Sequence, residues 1–154
     1  MRYVAFATDF DGTLAEDGAV TDRTIEALEA LRKSNRTLIL VTGRLLEDLQ
    51  NVFERMDLFD AVVAENGAVV FDTAKNERII LGSPPPSELL RLLDSGGVPV
   101  ERGHVIVATR EPHEAAVLEA IRELGLEMQV IFNKGAVMVL PSGTNKASGL
   151  QAAL

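Results

Sequence analysis

Two aspartates, Asp9 and Asp11, stand two residues apart where an apolar run (YVAFAT, residues 3–8) gives way to Gly12-Thr13-Leu14. One carboxylate of such a pair can act as nucleophile or metal ligand while the other handles a proton. A bare pair of this spacing also reads as two solvated turn aspartates, and only the buried-type strand before it tilts the balance. A calcium loop starting at Asp9 is excluded, since its sixth position is Leu14 where Gly is needed and its twelfth is Val20 where Glu is needed. A second apolar run, Thr37–Val41, ends at Thr42-Gly43-Arg44. A helix opened by Gly43 would offer N–H groups to an anion, although such residues taken alone more often form a plain strand end and helix start. Arg44 can orient a substrate or pair with Glu47 or Asp48. After a third run, Ala61–Ala64, Glu65-Asn66-Gly67 either organises a turn or touches ligand. Lys146, in the segment PSGTNKASGL, can neutralise anionic charge as a compact ammonium or stand as a solvated helix residue. Lys134 competes for that role but falls in a predicted hairpin turn.

The elements that must place these groups follow from hydrophobic spacing. A strand over residues 3–8 precedes a helix over 22–33, capped by Thr21 and apolar at Ile25, Leu28 and Leu31. The strand at 37–41 leads to a helix marked by Leu45, Leu49, Val52, Phe53 and Met56, and then to the strand at 61–64. Strand and helix alternating at this interval predict an open α/β fold with a parallel sheet, buried on both faces, whose loops meet at the carboxyl ends of the strands. Residues 68–71 and 78–81 then predict a hairpin, and Ser83-Pro84-Pro85-Pro86 predicts a boundary. Beyond it come a helix at 87–94, a strand at 104–109, a helix at 112–124, and strands at 128–132 and 136–140 joined by Asn133-Lys134-Gly135. His104 and His113 are expected in that unit. The expected organisation is a core of residues 1–82 and 141–154 interrupted by a small α+β unit at 83–140. The last helix has neither a Gly stop nor a basic final turn, and no strand follows it, so the core is expected to be incomplete at its C-terminal side.

The 154 residues are 47% hydrophobic and 25% charged, enough apolar mass for a packed core. Twenty-three acidic against 15 basic residues leave a net charge of −8, which argues against nucleic acid and anionic membrane as partners. With no cysteine and two histidines, any metal is expected on oxygen ligands. No signal peptide and no apolar stretch of about 20 residues is visible, so the expected location is the cytoplasm.

Four segments in order, Asp9-Phe10-Asp11-Gly12-Thr13-Leu14, Thr42-Gly43-Arg44, Glu65-Asn66-Gly67-Ala68 and Pro141 to Leu150, resemble the haloacid dehalogenase (HAD) superfamily in its Cof-like, type IIB branch. The resemblance implies a Rossmann-like core with a cap domain at 83–140 and a magnesium-dependent phosphatase. It implies Asp9 as the nucleophile that forms an aspartyl phosphate, and Asp11 as the group that protonates the leaving alkoxide and then activates water. Phe10, Gly12, Thr42, Gly43 and Lys146 would hold the phosphoryl group, and Arg44 and Asn66 would meet the substrate. Mg²⁺ would take the Asp9 carboxylate and the Asp11 backbone carbonyl. Asp11 argues against dehalogenation, because a halide leaves without a proton. The substrate class implied is a small soluble phosphate ester such as phosphoglycolate, a sugar phosphate or a nucleotide. Phosphotransfer to an acceptor other than water, as in phosphomutases, is an alternative, and so is a non-catalytic module that binds phosphate or a partner. The family's fourth, acidic segment has no counterpart before Leu154, so these 154 residues are expected to be a fragment that binds Mg²⁺ weakly and turns over slowly or not at all.

Overall fold

A computed structural model describes residues 3–154, which divide into two units. One holds the chain up to Leu81 together with Asn145–Leu154, and the other is Gly82–Thr144. In the first unit, β1 (Ala5–Asp9) is followed by a two-residue hairpin of β2 (Ala15–Glu16) and β3 (Ala19–Val20), then α1 (Asp22–Lys33), β4 (Thr37–Val41), α2 (Leu46–Val52), β5 (Ala61–Ala64), β6 (Val69–Asp72) and β7 (Glu77–Ile80). The sheet order is β1-β4-β5-β6-β7. β1, β4 and β5 run parallel in a register that places Asp9 beside Val41 and Val41 beside Val63, so their carboxyl ends are level. β6 and β7 are antiparallel additions. The turns before each are too short for the crossover that a parallel neighbour requires.

One face of the sheet carries Leu38, Leu40 and Val62, packed with Leu28 of α1 and Leu46 and Leu49 of α2. The other carries Ile39, Val41, Val63 and Val70 against Leu150 and Ala153 of the last helix, Lys146–Ala153. That helix therefore has a seat on the sheet, where its lack of a following strand suggested none. Thr21 caps α1 as its sequence predicts, accepting the N–H of Thr24.

Several local outcomes in this unit differ from expectation. β1 is not buried on both faces, because it lies at the sheet edge with β4 on one side, and Phe6 is 37% exposed. The helix predicted to reach Met56 stops at Val52. Phe53 is extended and turns its ring into the core, 5.5 Å from the ring of Phe10 and 6.3 Å from that of Phe59, a tertiary contact that overrides the helical period. The β2–β3 hairpin turns on Asp17-Gly18, both at positive φ, and its two-residue strands are too short to show a period.

The second unit contains α3 (Ser87–Ser95), β8 (Glu101–Arg102), β9 (Val107–Arg110), α4 (Glu114–Glu123), β10 (Met128–Asn133) and β11 (Ala136–Pro141). Its antiparallel sheet has the order β10-β11-β9-β8. Leu89, Leu93, Val117 and Ala120 of the helices pack on Val107, Val137 and Val139. Lys134 and Gly135, both at positive φ, form the two-residue turn between β10 and β11. The helix Lys146–Ala153 that follows in the chain is α5.

The aromatic contact that ends α2 yields a stability test. Replacing Phe53 by Ala should cost about 3–5 kcal/mol in urea unfolding, the range for deleting a buried aromatic ring. A loss below about 1 kcal/mol would show that the ring is not what holds this bend.

Candidate functional site at the carboxyl ends of β1, β4 and β5

Asp9 closes β1, and its two oxygens have different partners. Oδ1 accepts the N–H of Phe10 at 2.9 Å, and Oδ2 accepts Nζ of Lys146 at 3.1 Å. The Phe10 ring is fully buried and anchors the loop from below. The Phe10 carbonyl accepts N–H groups of Thr13, Leu14 and Ala15, while Gly12, at φ +76°, donates its N–H to Ala15. The N–H groups of Phe10 and Gly12, two residues expected to hold a phosphoryl group, thus have partners within the loop. The winding leaves the Asp11 side chain 43% exposed at the top.

Arg44 grips that side chain with a fork: Nε donates to Oδ2 at 2.8 Å and Nη2 to Oδ1 at 2.9 Å. Its Nη1 donates to Asp48 at 2.7 Å, and the guanidinium carbon lies 5.5 Å from the Phe10 ring centroid. The hydrogen bond to Asp11, ahead of the other effects, raises the Arg44 pKa above its already high value. Of the pairings open to Arg44 in the sequence, the structure selects Asp48 and adds Asp11.

Thr42 is fully buried. Its N–H donates to Val63 at 2.8 Å, its Oγ1 accepts the N–H of Arg44 at 3.1 Å, and its carbonyl accepts the N–H of Asn66 at 3.0 Å. The carbonyl of Arg44 accepts the N–H of Glu65 at 2.9 Å. These bonds hold residues 42–44 as a bend laced to β5 and the turn after it. The expected helix opening at Gly43 is therefore not formed: α2 starts at Leu46, with Leu45 before it and no side-chain cap. A phosphate at Thr42 cannot draw on a helix N-terminus there.

Lys146 is the first residue of α5, behind the N-cap Asn145. The Asn145 side chain accepts the N–H of Ser148, and the Ser148 hydroxyl accepts the N–H of Asn145, a reciprocal capping box. A cation at the positive end of a helix is unfavourable, and the Asp9 carboxylate offsets it. With side chains 40% and 42% exposed, the pair contributes about 1 kcal/mol or less to stability. Its importance is positional, since it joins residues 137 apart in the chain.

The structure thus brings Asp9 to Lys146, Asp11 to Arg44, and Thr42 to Asn66. Asn66 is 8% exposed and in this arrangement serves Thr42 through its backbone; Lys134 sits in the hairpin turn of the second unit. The sequence reading placed Gly67 in the turn after the third strand but passed over Gly149; at either position a Cβ would collide with backbone. A glycine inside an eight-residue helix, where Ala is favoured, was the available signal for Gly149.

A Rossmann-like α/β core with carboxylates and a lysine at the carboxyl ends of its strands defines the class. Residues 6–93 match the haloacid dehalogenase-like hydrolase family, and the chain belongs to it. It is 37% identical over 79 residues to YxeH of Bacillus subtilis (strain 168), a match covering 49% of this chain and 29% of that one. It is 34% identical over 91 residues to the phosphoglycolate phosphatase of Archaeoglobus fulgidus, covering 58% of this chain and 40% of the relative. The matches therefore span less than half the length of either relative. A solved HAD subclass IIB sugar phosphatase, BT4131, superposes with a TM-score of 0.71 at 21% identity over 97% of this chain and 74% of its own, a likeness of fold.

The Arg44 fork can be tested directly. Arg44→Lys keeps the charge but cannot make two parallel bonds, and should lower stability by about 1 kcal/mol in urea unfolding. A variant as stable as the parent would show that the fork adds nothing beyond charge.

Proposed function

We propose that the chain carries the phosphoryl-transfer core of a magnesium-dependent phosphatase, acting on a small soluble phosphate monoester through an aspartyl phosphate. The observation that carries this reading is Lys146 Nζ at 3.1 Å from Asp9 Oδ2. An ammonium that shares a carboxylate at the end of a parallel strand is suited to hold a phosphoryl oxygen against that carboxylate as the two anions meet.

In this reading the Asp9 carboxylate attacks phosphorus, and the bond from phosphorus to the ester oxygen breaks. Asp11 gives its proton to the departing oxygen, then takes one from the water that attacks the same phosphorus and frees Asp9. Lys146 stays on the phosphoryl oxygens, and the Thr42 hydroxyl is proposed as a further donor to them. Before Asp11 can serve, its carboxyl must leave the Arg44 fork, or rotate so that one oxygen does. The Gly82–Thr144 unit is proposed as a cap that sets substrate choice.

The donor set fits Mg²⁺ in kind. The Asp9 carboxylate and the Asp11 backbone carbonyl are hard oxygens, and the Asp11 side chain is already engaged by Arg44. Bound there, the ion would supply positive charge to the phosphoryl oxygens. With a single carboxylate assigned to it, its affinity is expected to be weak. The hold of Arg44 on both Asp11 oxygens favours a second reading, in which the chain binds phosphate without turning it over.

Hydrolysis of p-nitrophenyl phosphate with millimolar Mg²⁺ separates the two. The phosphatase reading expects slow but measurable turnover that falls at least about a hundredfold in Asp9→Asn, with the unfolding midpoint retained. Phosphate binding with no turnover above that of Asp9→Asn would favour the binding module.

A further inference from the structure

Gly67 has φ +103°, and a Cβ built on it would lie 1.9 Å from the carbonyl oxygen of Asn145 and 2.4 Å from its carbon. A Cβ on Gly149 would lie 2.6 Å from Cα of Gly67 and from Cγ1 of Val63, and 2.7 Å from the carbonyl oxygen of Gly67. Neither position has room for a methyl group, and backbone cannot swing aside as a flexible side chain can. The two contacts bracket Lys146, which follows Asn145 directly and comes one helical turn before Gly149.

The same turn is tied on its other side to the segment after β4. Glu65 donates its N–H to the carbonyl of Arg44, and Asn66 donates its own to the carbonyl of Thr42. Three residues, Glu65, Asn66 and Gly67, take left-handed backbone in succession, at φ +50°, +54° and +103°. For Glu65 that conformation is strained, and it persists where the surroundings over-determine it. At position 149 local preference runs the other way: Ala favours a helix more than Gly does. An isolated helix of eight residues is not stable, so the docking contact decides where α5 lies.

We infer that the Glu65-Asn66-Gly67 turn and Gly149 form a positioning element for Lys146. The close approach of Gly67 and Gly149 sets the reach of Lys146 to Asp9, and the bonds from Glu65 and Asn66 fix that reach relative to Thr42. These residues act through Lys146 and touch no reacting atom. The geometric claim stands apart from the phosphatase reading; its consequence for phosphate rests on that reading.

The chain has four lysines, Lys33, Lys75, Lys134 and Lys146, so the ammonium signals of lysine-labelled protein can be assigned one by one by NMR. Asp9→Asn should move the Lys146 signal to the position of an unpaired lysine. Gly149→Ala, with Asp9 intact, should move it to the same place. Ser148→Ala weakens the cap of α5 without adding bulk between the backbones, and should leave the Lys146 signal at its wild-type position. A Lys146 signal unmoved in folded Gly149→Ala overturns the inference. So does one lost in Ser148→Ala, a variant at an exposed position that is scored whether or not Gly149→Ala folds.

Titration of inorganic phosphate in the presence of Mg²⁺ separates this inference from the functional one. Gly149→Ala and Lys146→Gln should each weaken binding by about tenfold, and the double variant by no more than either alone. Additive losses overturn the positioning claim. No loss in Lys146→Gln defeats the phosphatase reading and leaves the NMR result to stand or fall by itself.

Discussion

How near α5 can come to the turn after β5 is a steric limit, set by two residues without side chains. Gly67 meets the backbone of Asn145, and Gly149 meets Gly67 and Val63. The apolar contacts of Leu150 and Ala153 with Ile39, Val41, Val63 and Val70 hold the helix against the sheet. They do not specify its height to within an ångström, because hydrophobic attraction is non-directional. The hard contact does. It converts a generic helix-on-sheet packing into one that places a lysine within hydrogen-bonding distance of a carboxylate 137 residues away.

Electrostatics then decides what the site can accept. Arg44 is shared between Asp11 and Asp48, and Lys146 faces Asp9. Three carboxylates against two cations leave this group one negative charge, in a chain that is itself at −8. A phosphate monoester does not approach such a cluster favourably without further positive charge. That is a physical reason to expect added positive charge at the proposed site; which residues would hold it rests on the proposal above. Arg44 is paired with both Asp11 and Asp48 and lies over the Phe10 ring.

Much of this was legible in the sequence because strands in parallel sheets are continuous apolar runs and their ends are marked by polar, glycine-containing segments. Asp9, Thr42 and Glu65 could be picked out as the residues at those ends, Lys146 came from the segment PSGTNKASGL, and the hairpin turn around Lys134 could be read from Asn-Lys-Gly. What escaped has a common cause, contact between segments distant in the chain. The pull of Phe53 toward Phe10 and Phe59 cut a helix whose period continued to Met56. The bonds from Glu65 and Asn66 kept residues 42–44 out of α2. Exposure of β1 follows from its place at the sheet edge, which a local pattern cannot report. Arg44 had acidic neighbours one helical turn away, and its choice of Asp11 required two loops to face each other.

The central claim is that Asp9 becomes covalently phosphorylated. The most direct test is acid quenching during incubation with p-nitrophenyl phosphate and Mg²⁺, followed by mass-spectrometric mapping of peptides and a hydroxylamine check for an acyl phosphate. Phosphate on the peptide that contains Asp9, assigned to that residue and released by hydroxylamine, is the predicted result. Phosphate on another residue, or none above the level in Asp9→Asn, would contradict the account.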